Sequence, residues 1–134
     1  MHLLITAVTA SALSLLLVVL TIEAIRLRKT LGIPFGDGDH PRLRATIRAH
    51  ANLVEYMPIG LTQLGILENN GAPQWALALI GIAFVMGRVI HAHGIRVEGA
   101  RIGPRRGVGI MLTVGVLALL SLWLLAMAMA ALSL

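Results

Sequence analysis

Four long apolar stretches constrain this chain more than any other feature of its sequence. The last of them, residues 107–133, contains no Asp, Glu, Lys or Arg. A helix of about 20 apolar residues crosses a bilayer, where only helices and closed barrels satisfy their own backbone groups. Hydrophobic residues make up 57% of the chain and charged residues 13%, whereas soluble domains average roughly 45–50% and 25%. We therefore predict one domain, an all-α integral membrane four-helix bundle.

The predicted helices cover residues 3–25, 41–68, 74–95 and 107–133. The first is too long for a signal-peptide core and lacks a basic segment before it, so we expect it to be retained. Basic residues cluster in or beside loops one and three, and loop two has none. The positive-inside rule then places loops one and three in the cytoplasm and both termini outside. Because these charges flank membrane spans, the net charge of +5 indicates topology and an anionic lipid or ligand, not nucleic acid.

A row of polar side chains interrupts the second predicted helix. Arg48, Asn52 and Glu55 fall within about 60° of one another around the helix axis. Charged groups at membrane depth usually face a bundle interior or a polar cavity. Arginine can hold a carboxylate at two points, asparagine can bond an amide, and glutamate can hold an ammonium, so the row suits a zwitterionic, peptide-like ligand. Tyr56 flanks the row as a hydroxyl donor or, alternatively, as a packing residue.

The third predicted helix carries a second polar pair, Arg88 and His91, which share one face. Arg88 needs a partner inside the membrane, and Glu55 is the predicted one. The alternative is a buried ion pair that fixes helix register without any ligand. His91 and His93 diverge by about 200° around the helix, and cysteine is absent, so we expect no metal.

The pattern Arg-x-x-x-Asn-x-x-Glu-Tyr-x-Pro at residues 48–58 resembles the signature of the membrane-associated proteins in eicosanoid and glutathione metabolism, the MAPEG family, particularly its bacterial branch. The turn at residues 36–39, the segment 87–94 and Arg106-x-x-Gly109 are similar to bacterial members as well. The resemblance implies a homotrimer in the bacterial inner membrane. It also implies glutathione as co-substrate, bound between subunits near the cytoplasmic side, and a hydrophobic small molecule or lipid as second partner.

The same resemblance assigns roles to individual residues. Arg48 would hold a glutathione carboxylate, Asn52 a peptide group and Glu55 the γ-glutamyl ammonium. His91 stands where catalytic members often carry a tyrosine and could replace its hydroxyl donor, whereas Ile95 could not. The full set of expected glutathione-binding residues is Arg26, Arg28, Arg48, Asn52, Glu55, Tyr56 and His91.

Catalysis would require activation of the thiol. Free thiols have a pKa near 8.5, and a guanidinium in a dry site lowers it, so that thiolate is present at neutral pH. The candidate cations are Arg88, Arg101 and Arg106. The resulting expectation is a glutathione transferase or peroxidase that attacks apolar electrophiles or lipid hydroperoxides. The alternative is a non-catalytic lipid- or thiol-binding membrane scaffold. A transporter is less favoured, because one charged row is not a relay across the bilayer.

Overall fold

The computed structural model describes residues 3–98 and 103–133, which form four α-helices and no strand. In chain order these are α1 (Leu4–Leu31), α2 (Pro41–Asn69), α3 (Gln74–Glu98) and α4 (Pro104–Leu132). By length and composition α1, α3 and α4 can each cross a membrane, while α2 is more polar. The predicted all-α membrane four-helix bundle is confirmed.

The helices α2 and α3 form the centre of the bundle. Both α1 and α4 pack against this pair, and α1 and α4 make no contact with each other within the described residues. The core between the helices is made largely of leucine, with Phe84 the largest buried apolar side chain. The inward faces of α2 and α3 are therefore set by contacts with three neighbours each.

The helix α1 continues past residue 25, where its apolar run ends, through the basic cluster to Leu31. Gly32 stops it by adopting φ +67°, and the N–H groups of Gly32 and Ile33 both bond to the Arg28 carbonyl. A left-handed glycine is a common helix terminator. Long basic side chains can extend to the membrane surface, so the cluster does not itself end the helix. Similarly, α3 extends to Glu98 and α4 begins at Pro104, which leaves a shorter third loop than the sequence indicated.

Two glutamates join helix ends across the bundle. The Glu68 carboxylate, near the end of α2, accepts hydrogen bonds from the backbone N–H groups of Ile5 and Thr6 at 2.8 Å each. The Glu98 carboxylate, at the end of α3, accepts from the backbone N–H groups of Arg105 and Arg106 at 3.1 and 3.2 Å. The first N–H groups of a helix lack partners within it and form the positive end of its dipole. Each glutamate thus caps the neighbouring helix.

Arginines organise the first loop, which sets where α2 starts. The Arg28 guanidinium donates to the carbonyl oxygens of Ile33, Pro34 and Gly36. The Arg44 guanidinium pairs with Asp37 and Asp39. The hydrogen bond from Arg44 lowers the pKa of the Asp37 carboxyl, which lies outside the membrane spans. These contacts hold the loop against the first turns of α2, just ahead of the polar row.

Candidate functional site

The polar row on α2 lies at the edge of the core, with its charged members outward. Arg48 and Glu55 are exposed, whereas Asn52 and Tyr56 are half-buried. Leu53, on the inner face beside them, is fully buried. The helix runs without a break through Pro58, so the three polar residues keep the expected spacing. One side of the row therefore faces the neighbouring helix α3, and the other is open.

The most unusual group in the molecule is Arg88, whose side chain is 1% exposed. It bridges three helices. Its Nη1 donates to Thr113 Oγ1 on α4, and its Nη2 donates to Asn52 Oδ1 on α2, both at 3.3 Å. Its guanidinium carbon lies 5.2 Å from the centroid of the Tyr56 ring, within the range of a cation–π interaction. Arg88 thus fixes the two inner members of the α2 polar row.

The predicted ion pair between Arg88 and Glu55 was wrong. The salt bridges within residues 3–98 and 103–133 join Arg44 to two aspartates and Arg96 to Glu23. Glu55 lies about 60° from Asn52 around α2, and about 100° from Tyr56. Asn52 and Tyr56 contact Arg88, whereas Glu55 is exposed and forms no salt bridge with it. The alternative of a register-fixing ion pair between these two residues is excluded for the same reason.

Beside Arg88 lies a second polar contact between α3 and α4. His91 is 2% exposed, and its Nδ1 lies 3.3 Å from the Arg106 carbonyl oxygen. When Nδ1 donates to this carbonyl, the neutral ring presents Nε2 as an acceptor. Arg106 itself lies in the first turn of α4, half-buried, not in the loop where the sequence placed it. The third-helix residue Ile95 is 4% exposed and offers no hydrogen-bonding group.

Several buried polar atoms here lack partners. Within the part of the chain that the structure describes, Arg88 Nε, His91 Nε2 and Arg106 Nε are buried and make no hydrogen bond. An unsatisfied buried group costs about 1–3 kcal/mol, and more when it is charged. The Arg88 and Arg106 guanidinium groups and the His91 imidazole therefore lie between α3 and α4. Within the described residues, no carboxylate forms a salt bridge with either guanidinium. A hydrogen-bond acceptor would satisfy each of the two unpaired guanidinium Nε–H groups.

The first-helix arginines do not join this cluster within one chain. Arg28 is used in holding the first loop. Arg26 lines a separate cavity together with Arg42 and Arg96. Arg101, the remaining predicted cation, lies outside the described residues.

Sequence reasoning missed Thr113. Its hydroxyl accepts from Arg88 and donates to the Gly109 carbonyl at 2.8 Å. A lone threonine in an apolar helix is a weak signal, because its hydroxyl can always bond back to its own helix. It could have been noticed only as a polar group at the same depth as Arg88.

Comparisons with known proteins show which family this chain resembles. The sequence model of the MAPEG family matches residues 4–128. The chain is 36% identical over 90 residues to the inner membrane protein YecN of Escherichia coli strain K12, a match that covers 67% of this chain and 69% of that protein. The YecN protein of Escherichia coli O6:H1 matches to the same extent. The family match spans α1, α2, α3, the entire α2 row and all but the last four residues of α4.

Proposed function

Because the chain belongs to the MAPEG family, we propose that it is an inner membrane protein that binds glutathione, or a similar small thiol, at the α2 polar row. The bound thiol would be presented as thiolate to apolar electrophiles or lipid hydroperoxides that arrive through the bilayer. We place the basic end of the bundle, where the row begins, on the cytoplasmic side.

The observation that carries this proposal is the division of the α2 row. Its inner members, Asn52 and Tyr56, are held by Arg88, whereas Arg48 and Glu55 are exposed and have no ion-pair partner within residues 3–98 and 103–133. Charges at membrane depth are costly without partners. A zwitterionic peptide would supply a partner for each charge, namely a carboxylate for Arg48 and an ammonium for Glu55.

Asn52 would recognise the peptide backbone between those two charged ends. Its Oδ1 accepts from Arg88, which orients the amide and leaves its Nδ2 hydrogens for a ligand carbonyl. A preoriented donor loses less entropy on binding than a free one. Tyr56, fixed against the guanidinium, closes one side of the same surface.

Arg106 is our proposed thiolate-stabilising cation. It is half-buried in the first turn of α4, and its Nε is buried without a partner within the described residues. Thiol pKa values fall beside a guanidinium, and the Arg106 side chain would supply one here. Arg88 is too deeply buried to contact a thiol directly and acts instead as a positioning residue.

The alternative, a non-catalytic thiol- or lipid-binding scaffold, is favoured by one observation. The third-helix face that carries hydroxyl donors in many catalytic members presents His91 and Ile95 here, and both are almost fully buried. The two candidate functions differ in turnover, not in binding.

Arginine substitutions in α4 separate these functions. Purified protein in detergent would be titrated with glutathione by calorimetry and assayed for conjugation to a chlorodinitrobenzene electrophile. We expect Arg106→Ala to reduce kcat by about tenfold or more, since one unit of thiol pKa is worth about 1.4 kcal/mol, and to shift the pH–rate profile upward. Arg105→Ala is the matched control, because Arg105 is exposed on the same turn.

Substitutions in α2 test binding itself. Arg48→Ala and Glu55→Ala should each weaken glutathione binding by about tenfold or more, as expected for the loss of a charge-assisted hydrogen bond. Binding without turnover would support the scaffold. Unchanged affinity in both α2 variants would refute the proposed glutathione site.

A further inference from the structure

We propose that Glu98, at the end of α3, is a positioning residue that holds Arg106 in place as the thiolate-stabilising cation. This inference rests on the proposed function and adds a residue to it. The Glu98 carboxylate accepts hydrogen bonds from the backbone N–H groups of Arg105 and Arg106 at 3.1 and 3.2 Å. Within residues 3–98 and 103–133 it forms no salt bridge with the Arg106 guanidinium. Glu98 therefore restrains the backbone of Arg106 without pairing with its charge.

The backbone of Arg106 is held from three sides. Its N–H group donates to Glu98 Oε2, and its carbonyl oxygen lies 3.3 Å from His91 Nδ1. A methyl group on Gly94 would lie 2.6 Å from the Arg106 nitrogen, so the backbone of α3 lies against the same residue. The first N–H groups of a helix lack partners within it, and helix ends fray. A cation fixed in this way needs little reorganisation when the charge of a thiolate develops beside it.

A glycine makes room for the Glu98 carboxylate. Gly103 immediately precedes α4, and a methyl group on it would lie 2.5 and 2.6 Å from the two carboxylate oxygens. Because the carboxylate ends a flexible side chain, it would be displaced at little cost to helix packing. Gly103→Ala should therefore release Arg106 while the charge of Glu98 is kept. A methyl group on Gly107, one turn along α4, would meet nothing within 4 Å.

A role in positioning and a role of charge alone predict opposite effects on the pKa of the bound thiol. A carboxylate that acted only through its charge would, when removed, leave the site more positive, and the thiol pKa would fall. A carboxylate that positions Arg106 would, when removed, let the guanidinium move away, and the thiol pKa would rise. The direction in which the pH–rate profile shifts therefore separates the two roles.

Conjugation kinetics of the detergent-purified full chain, with glutathione and a chlorodinitrobenzene electrophile, test the proposal. We expect Glu98→Ala to lower kcat by about three- to tenfold, because misplacing a catalytic group is costly. The pH–rate profile should shift upward, with glutathione affinity nearly unchanged. Gly103→Ala should have the same effects, and Gly107→Ala should have neither. Glu68→Ala is the matched control, because Glu68 caps α1 at the other end of the bundle through the same kind of contact, and it should leave the pH–rate profile unchanged.

A double-variant cycle shows whether Glu98 acts through Arg106. Glu98→Ala should lower kcat no further when it is combined with Arg106→Ala, since the group that it positions is then already absent. An equal loss of kcat in both backgrounds would overturn the proposal, and so would a downward shift of the pH–rate profile in Glu98→Ala. Where glutathione binds without turnover, the ultraviolet absorbance of the bound thiolate replaces kcat, and its titration should shift in the same direction.

Amide hydrogen exchange without ligand separates a failure of this inference from a failure of the proposed function. Glu98→Ala should speed exchange in the first turn of α4 by about tenfold or more, because two amides lose a charged acceptor, and Glu68→Ala should not. Unchanged exchange in Glu98→Ala would overturn the positioning of Arg106 whatever the activity. A wild-type protein that does not bind glutathione would instead refute the proposed function, and with it the role of Arg106 as the cation, even where exchange shows that Glu98 holds it.

Discussion

At the scale of single residues, Arg88 is the clearest indication that some residues of this bundle serve a purpose other than stability. Removing an ion from water costs several kcal/mol. The interactions that offset this cost for Arg88 are two 3.3 Å hydrogen bonds to neutral groups and one contact with an aromatic ring. Cation–π contacts contribute about 0.5–2 kcal/mol. An apolar residue would cost less to bury, so Arg88 is best explained by its hold on Asn52 and Tyr56.

This explanation predicts an unusual separation of stability from binding. Arg88→Met removes a buried charge that has no salt bridge within the described residues, so thermal unfolding without ligand should occur at the same or a higher temperature, with a gain of up to about 4 kcal/mol. Glutathione affinity, measured by calorimetry, should fall because Asn52 loses its orientation. Arg88→Lys is the control. It keeps the charge but cannot bridge Asn52 and Thr113, so it should lower both the unfolding temperature and the glutathione affinity. A clearly reduced unfolding temperature in Arg88→Met would mean that Arg88 is a structural residue.

At the scale of elements, the close contact between α3 and α4 determines the geometry of the site. A methyl group on Gly109 would lie 2.5 Å from the His91 backbone nitrogen, and one on Gly94 would lie 2.6 Å from the Arg106 backbone nitrogen. These two glycines let the helix backbones approach at the level of His91 and Arg106. Small residues commonly permit such approach in membrane helices. The distance of Arg106 from the third helix thus depends on residues without side chains.

A pair of glycine substitutions on α4 tests this dependence. Gly109→Ala should separate the helices and lower the free energy of unfolding by about 1–3 kcal/mol. Gly115→Ala, where an added methyl group meets nothing within 4 Å, should be neutral or gain up to about 1 kcal/mol from helix propensity. Denaturant titration followed by circular dichroism measures both. Equal effects at the two positions would show that the close contact is not required.

At the scale of the whole molecule, the open face of α2 is notable because it leaves two charged residues, Arg48 and Glu55, exposed on a helix within the membrane. Glu55 lies about 20 Å along the helix from Pro41, deep within a bilayer whose apolar core is about 30 Å thick. A single chain would leave Arg48 and Glu55 facing lipid. We propose that subunits of a homotrimer cover this face, with glutathione bound between them.

Light scattering of the detergent-solubilised protein tests this assembly. The protein mass, after correction for detergent, should be three times the 14.3 kDa of one chain. Arg105→Ala should leave the mass unchanged, since Arg105 is exposed on α4 and is not part of the open face of α2. A single-chain particle that bound glutathione as tightly as the assembled form would contradict the proposal.

The sequence alone determined the class of the protein. Helix formation and membrane insertion depend on local properties, namely apolar length, caps and flanking charge, so four helices and the row at Arg48, Asn52 and Glu55 could be predicted. Where helices end was harder, because α1 stops at Gly32 and not where its apolar run ends.

Only the tertiary structure decided which groups meet. Arg88 contacts Asn52, Tyr56 and Thr113 in place of Glu55 because the rotation of α2 about its own axis is set by leucine packing and by close approach at glycines. Within one chain, the same packing brings Arg26 beside Arg42, which lies on a different helix. Periodicity gives the face of a helix on which a residue lies. The neighbour that this face meets depends on contacts between residues far apart in the chain.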